Sequence, residues 1–212
     1  MKTILYLARH GETQWNKVQR FQGQLDSELT ELGRQQSKQI ADKVSHHKID
    51  LIISSNLGRA IESAAICNQQ LHINSEIVKT LTERHLGEWQ GQKIEHLVKN
   101  PNYLELLHNY TDLAPTDGES AVSCGERIKK SLEDISKAHK HKTLLVIFHG
   151  EALRCFFATL QGNNRNDNEH AVKTNTDDKA SSKENKNAYD LFKNGSISTL
   201  TYDHKTMNFS IN

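Results

Sequence analysis

The stretch Ile4-Leu5-Tyr6-Leu7-Ala8-Arg9-His10-Gly11-Glu12-Thr13-Gln14-Trp15-Asn16 carries the most information in this chain. Its apolar first half reads as a buried strand over residues 2–8. The run stops where Arg9, His10 and Gly11 stand in consecutive positions. In open α/β sheets, ligands bind just beyond the carboxyl ends of strands. An arginine there supplies a permanent planar cation, a histidine a nucleophile, and a glycine lets backbone come close. The stretch therefore predicts an anion site at the end of a first strand.

A second strand end repeats the pattern. Leu144-Leu145-Val146-Ile147-Phe148 is the strongest strand signal in the sequence, and His149-Gly150 follows it. If the two strands are parallel, their histidines converge on one edge. Between them, Thr30 reads as the N-cap of a helix reaching about Val44, with Gly33 tolerated in its first turn. Residues 50–54 read as a short buried strand. Ser55 or Asn56 is expected to cap the next helix, which runs to about Leu71, and residues 76–78 make a third strand. Residues 83–118 hold the only two prolines, Pro101 and Pro115, and read as irregular with short helices near 93–98 and 101–109. A helix over 120–139 turns Val122, Ile128, Leu132 and Ile135 inward, and another covers 151–160. Alternation over 196–202 and 207–211 predicts an edge hairpin or a pair of late strands. Strand alternating with helix gives a largely parallel sheet with helices on both faces.

One segment stands apart. Residues 162–188 are rich in Asn, Asp, Lys, Glu and Ser and hold almost no large apolar side chain. Such a segment cannot bury enough surface to pack by itself. It reads as a polar surface insertion within a single domain spanning 1–212, because the strand-like tail beyond it needs the same sheet. If the strand that follows is parallel, the insertion lies at the pole away from the strand ends.

Composition limits the functions available. The chain has 212 residues, 35% hydrophobic and 25% charged, with a net charge of +1 from 27 basic and 26 acidic side chains. That balance argues for no nucleic-acid or membrane partner, so anion binding must come from a local cluster. Three cysteines, Cys67, Cys124 and Cys155, lack paired spacing and read as buried thiols rather than a disulfide framework or zinc site. Neither a secretory signal nor a membrane span is visible, and a cytoplasmic protein is expected.

Two further pieces bear on the anion site. Arg59 falls in the first turn of the helix after the second strand. A cation there opposes the helix dipole, so it needs another reason, and an anionic ligand is one. Leu81-Thr82-Glu83-Arg84-His85-Leu86-Gly87-Glu88-Trp89-Gln90-Gly91 places carboxylates and an aromatic ring between glycines, a weak signal alone.

Taken in order, these motifs resemble the histidine phosphatase superfamily, in its phosphoglycerate mutase-like branch. The resemblance rests on Arg9-His10-Gly11-Glu12-Thr13 with Asn16, on Phe21-Gln22-Gly23 followed by Asp26, and on Leu29-Thr30-Glu31-Leu32-Gly33 with Gln36. It continues through Leu57-Gly58-Arg59-Ala60, Glu83 with Gly87 and Trp89, Gly118-Glu119-Ser120, and His149-Gly150 with Leu153-Arg154. It covers nearly the whole chain except 162–188, and is nearest in pattern to the small broad-specificity or alpha-ribazole-type phosphatases. It implies a three-layer α/β/α sandwich with a mostly parallel central sheet. It also implies His10 as the nucleophile that becomes phosphohistidine, and Arg9, Arg59 and His149 as holders of the phosphoryl oxygens, joined by Asn16. Glu83 would give the proton to the leaving oxygen. Gln22 and Gly23 would border the substrate, with Thr13 and Gly150 also among the substrate-binding residues. No metal and no cofactor are expected, and the partner is a small phosphomonoester; a homodimer is open.

Two positions depart from the pattern. Glu151 adds a negative charge near the pocket, and His85 stands where an acidic or amide residue is common. Glu83 and His149 lie 66 positions apart. Mutases of the family carry a longer segment there, so the expected activity is phosphomonoester hydrolysis. A phosphoglycerate mutase and a non-catalytic phosphate-binding module are the alternatives.

Overall fold

The structure is a computed structural model and describes residues 2–163 and 192–212. The sheet has six strands: β1 (Lys2–Arg9), β2 (Leu51–Ser54), β3 (Ser75–Ile77), β4 (Thr143–Phe148), β5 (Ile197–Asp203) and β6 (Asn208–Ile211). Their order is β3-β2-β4-β1-β5-β6. The first four are mutually parallel, β5 runs antiparallel to β1, and β6 pairs antiparallel with β5. Seven α-helices are described: α1 (Gln14–Lys17), α2 (Glu31–Val44), α3 (Gly58–Leu71), α4 (Ile94–Leu97), α5 (Tyr103–His108), α6 (Ala121–Ala138) and α7 (Gly150–Asn163).

Alternation along β4 explains the layers, since successive side chains of a strand point to opposite faces. Leu144, Val146 and Phe148 pack with Cys124, Ile128 and Leu132 of α6 and with Ala152, Cys155 and Phe156 of α7. Leu145 and Ile147 pack with Ile40 and Val44 of α2 and with Ala60, Ala64 and Cys67 of α3. Both faces of the sheet are thus covered, which is why its central strands are continuous apolar runs rather than half-polar ones. Each fully buried Leu, Ile or Phe here contributes about 1.5–3 kcal/mol of transfer free energy. The irregular segment has its own satellite core, in which Leu86, Trp89, Leu97, Leu106 and Leu107 are joined by Phe21 and Tyr103.

Register sets the site. Arg9 pairs with Phe148 across β1 and β4, and the His10 N–H donates to the Phe148 carbonyl at 3.0 Å. His10 and His149 are therefore each the first residue past adjacent strand ends. The loop after β1 is held down by two glycines. A Cβ on Gly11 would stand 2.1 Å from the Gly33 carbonyl oxygen, and one on Gly33 would stand 2.0 Å from that of Glu12. Gly33 is required by this contact rather than merely tolerated in the helix. Thr30 does cap α2, accepting from the Gly33 N–H at 3.0 Å.

Several expectations change. The N-cap of α3 is Leu57, which offers no side-chain oxygen, and neither Ser55 nor Asn56 takes that place. Asp26 serves instead from a distant loop, accepting from the Gly58 and Arg59 N–H groups. Val122 is only half-buried; Ala121 and Cys124 fill the inward face of α6 beside it. Helix α7 begins one residue earlier than expected, at Gly150, and continues to Asn163. The insertion assigned to 162–188 otherwise lies outside the described residues. The chain is described again from Phe192, and the strand that follows, β5, is antiparallel to β1, with Ala8 facing Ile197. Residues 192–196 consequently reach the end of the sheet where β1 and β4 terminate, not the opposite pole. All three cysteines are free and buried, and burial pushes the Cys67 thiol up to about 12.

Candidate active site

The strand ends open into a cleft of about 440 Å³. Arg9, His10, Asn16, Gln22, Gly23, Arg59, Glu83 and Gly150 all line it, so most of the residues singled out in sequence share one cavity. His149 lies beneath, fully buried, with its ring edge-on to that of His10 at 5.3 Å between centroids. Thr13 is also buried but does not line the cleft. It is the N-cap of α1, and its N–H and hydroxyl both donate to the Asn16 side-chain oxygen at 3.1 Å.

His10 is fixed at both ring nitrogens. Nδ1 lies 2.7 Å from the Gly11 carbonyl oxygen, which can only accept, so Nδ1 carries the proton. Nε2 then keeps its lone pair, and Arg59 Nε donates to it at 3.2 Å. Burial first, then the positive charges of Arg59 and Arg9, hold the His10 pKa well below the ordinary histidine value. His149 is shifted the same way, by burial and then by Arg59. Its Nε2 pairs with the buried Ser55 hydroxyl at 2.7 Å.

Arg59 is 2% exposed and almost fully partnered. Its guanidinium donates to the carbonyls of Gly23 and Leu25, each at 2.7 Å, and pairs with Asp26 at 3.0 Å. The loop over residues 23–26 thus orients the cation, and Asp26 both caps α3 and neutralises it in part. Arg9 donates to the Phe192 carbonyl at 2.6 Å. Its guanidinium lies against Gly150, where an added Cβ would come within 2.9 Å of it. Glycine follows His149 because Arg9 occupies the space a side chain would need. Buried Arg9 Nε and His149 Nδ1 have no hydrogen-bond partner among the described residues. Unpaired buried polar atoms around a cleft are what an anionic ligand would satisfy.

Glu83 sits at the start of α7. Its carboxyl oxygens accept from the Ala152 N–H at 2.8 Å, the Glu151 N–H at 3.3 Å and the Arg84 N–H at 2.8 Å. Burial raises its pKa above the usual carboxyl value, against the opposing pull of Arg59. Glu151 is a different case. Burial alone would raise it, but Arg154 at 2.9 Å and Arg84 at 3.4 Å outweigh that and hold it down. The negative charge that Glu151 brings to the cleft is therefore largely compensated. His85 does not line the cleft; it accepts from the Gly87 N–H and contacts the Gln90 amide.

Beyond this polar floor the cleft has a wall of Phe21, Leu86, Ile94, Tyr103 and Leu107, with Arg20 also lining it. Arg20 is placed by the Gly91 carbonyl and by the Trp15 ring, 5.5 Å from its centroid. Sequence reasoning missed Arg20 and the arrival of Phe192, Lys193 and Asn194; it named Asp26 only as part of the family pattern and Ser55 only as a helix cap, without their contacts to Arg59 and His149. The Asn194-Gly195 pair is a turn signal, but nothing local says what the turn faces. Among the described residues no His, Cys, Asp and Glu side chains gather as a metal-binding group, and no helix is long and apolar enough to cross a membrane.

A family model described as the histidine phosphatase superfamily (branch 1) matches residues 5–177. A probable phosphoglycerate mutase of Escherichia coli, GpmB, is 36% identical over 160 residues, which are 74% of each chain. Bacillus stearothermophilus YhfR superposes with a TM-score of 0.76 at 25% identity, over 99% of this chain and 95% of that one. A phosphoserine phosphatase variant from Entamoeba histolytica, solved with phosphoserine, gives 0.74 at 26% identity over the same shares.

Proposed function

The chain belongs to the histidine phosphatase superfamily, and we propose that it is a phosphomonoester hydrolase working through a phosphohistidine at His10. The observation that carries this reading is the state of His10: Nδ1–H is tied to Gly11, and the Nε2 lone pair is held beside a buried arginine. A depressed pKa keeps that lone pair available at neutral pH. A monoester brings close to two negative charges, and Arg9 and Arg59 match them with planar donors. Phosphoryl transfer needs such positioning and neutralisation more than covalent help.

The reaction runs in two steps. Nε2 of His10 attacks phosphorus, the bond to the ester oxygen breaks, and protonated Glu83 gives its proton to the departing oxygen. The Gly11 carbonyl steadies Nδ1–H as the ring becomes cationic. Glu83, now a carboxylate, takes a proton from water as that water attacks the phosphohistidine. Inorganic phosphate leaves, Nε2 regains its lone pair, and Glu83 is protonated again. The substrate class is a small phosphorylated metabolite, which agrees with the phosphoserine named in the structure of the Entamoeba histolytica relative.

The name of the Escherichia coli relative favours a second reading, phosphoglycerate mutase. A mutase returns the phosphoryl group to a bound acceptor instead of water. Rapid-quench measurement on a panel of phosphomonoesters separates the two. Hydrolysis predicts a burst of acid-labile phosphoenzyme followed by steady phosphate release. Rapid turnover with 2,3-bisphosphoglycerate and negligible phosphate release overturns it in favour of the mutase. Silence across the whole panel, with phosphate still bound, leaves a binding module.

A further inference from the structure

The segment that returns from beyond α7 closes on the nucleophile loop. Phe192 accepts from the Arg9 guanidinium at 2.6 Å, and the Gly195 N–H donates to the Arg9 carbonyl at 3.2 Å. Between them, Asn194 reaches the interior. Its Nδ2 donates to the His10 carbonyl at 3.1 Å and to the Asn16 Oδ1 at 3.2 Å. We propose that Asn194 is a positioning residue for phosphoryl transfer, locking the His10–Gly11 peptide and the Asn16 amide in their working orientation.

The orientations follow from groups whose roles cannot change. The His10 carbonyl can only accept, so the Asn194 atom facing it must be the amide nitrogen. The other hydrogen of that nitrogen meets Asn16. The Thr13 N–H also points at Asn16 and can only donate. The Asn16 atom between these two donors must therefore be oxygen. With Oδ1 engaged by Asn194 and by both Thr13 groups, Nδ2 is the amide atom left for a ligand, on a residue that lines the cleft. Asn16 thus presents donors, not an acceptor, to an anion. At the other end, the peptide joining His10 and Gly11 is gripped on both sides. Asn194 holds its carbonyl, and the Ser63 hydroxyl accepts from its N–H at 3.1 Å. The next carbonyl, that of Gly11, is the one that fixes the tautomer of His10. One amide therefore couples the nucleophile to a phosphoryl donor group. Asn194 belongs to the stretch 192–196 just before β5, and that stretch is therefore part of the site.

This role rests on the hydrolase reading for the identity of the ligand, and the test keeps the two apart. Orthovanadate affinity is measured by calorimetry for wild type, Asn16→Ala, Asn194→Ala and the double variant, beside single-turnover phosphorylation and thermal melting. Asn194→Ala is expected to weaken vanadate binding about tenfold, the upper end of what one net hydrogen bond between neutral groups contributes. In the Asn16→Ala background the same change is expected to cost less than about half as much on a logarithmic scale, because the shared route is already cut. Asn194→Asp, equal in size, should lose more than Asn194→Ala, since its oxygen faces two acceptors. Equal losses in both backgrounds, or an Asn194→Ala variant within about twofold of wild type, overturn the proposal. Should the alanine variant fail to fold, Asn194→Ser carries the same comparison. Vanadate binding without any phosphoenzyme in wild type sinks the hydrolase reading while the coupling between Asn194 and Asn16 is still read.

Discussion

Arg59, on the floor of the cleft, donates to two carbonyls, a carboxylate and a histidine. Phe21 and Tyr103, on the wall, belong to a satellite apolar core. The floor is assembled from strand and helix ends, and its polar atoms are fixed by named partners. The wall comes mostly from the irregular segment 83–118, and most of its side chains pack rather than bond. The contrast teaches where chemistry and selectivity separate. In the proposed reaction, groups on the floor would face the phosphoryl unit that every substrate shares, and groups on the wall would meet the alcohol that differs from one substrate to another.

Variants ordered by expected effect would break or sharpen that contrast. His10→Ala removes the proposed attacking nitrogen, and kcat is expected to fall by on the order of 10⁴-fold or more, with no phosphoenzyme trapped by an alkaline denaturing quench that preserves it in wild type. Retained phosphoenzyme would mean that the floor does not work through His10.

Glu83→Gln should cost about 10²–10⁴-fold in kcat, the usual contribution of a positioned proton donor. It should also change the pH profile. In the proposed mechanism His10 acts unprotonated, so activity is expected to fall as pH drops through its pKa, which burial and the two arginines place well below the histidine value. In the same mechanism Glu83 acts first in its protonated form, so activity is expected to fall as pH rises through its raised pKa. The wild-type profile should be bell-shaped, and the alkaline limb should disappear in Glu83→Gln. A surviving alkaline limb would assign that titration elsewhere.

Gly150→Ala tests the packing of the floor. The new methyl meets the Arg9 guanidinium at 2.9–3.1 Å, so the cation must shift. Misplacing a catalytic group by a fraction of an ångström should lower kcat/KM by about tenfold, up to the 10²-fold that a 1 Å error can cost. Thermal melting measured beside the kinetics separates this from loss of fold.

The smallest effect is expected on the wall. Tyr103→Ala should change KM for bulky phosphomonoesters by roughly tenfold, within the 1–3 kcal/mol of an apolar contact, while kcat for the smallest substrate moves little. A uniform loss of kcat across substrates would erase the distinction between wall and floor.

Much of this floor was legible in the chain. Arg9, His10, His149 and Gly150 lie at strand ends, and these strands are readable because each is a short apolar run closed by glycine and polar residues, too short for a buried helix. Arg59 stood out because a cation in the first turn of a helix is locally unfavourable. Glu83 was legible only through the family pattern, because its position depends on meeting the N-terminus of α7. The wall, the Asp26 cap and the return at residues 192–196 were not legible. Each is a contact between segments distant in sequence, with no periodicity to announce it.

The sequence alone determined the alternation of strands and helices, and with it the gathering of two histidines at one edge. Those follow from local rules, in which apolar spacing decides element type and parallel strands point their ends the same way. Only the tertiary structure decided the direction of β5, and so which end of the sheet receives Asn194. It also decided which tautomer His10 adopts, which neighbours compensate Glu151, and why Gly11, Gly33 and Gly150 must lack side chains. Those outcomes depend on distances of a few ångström between remote backbone atoms, and no single stretch of chain carries that information.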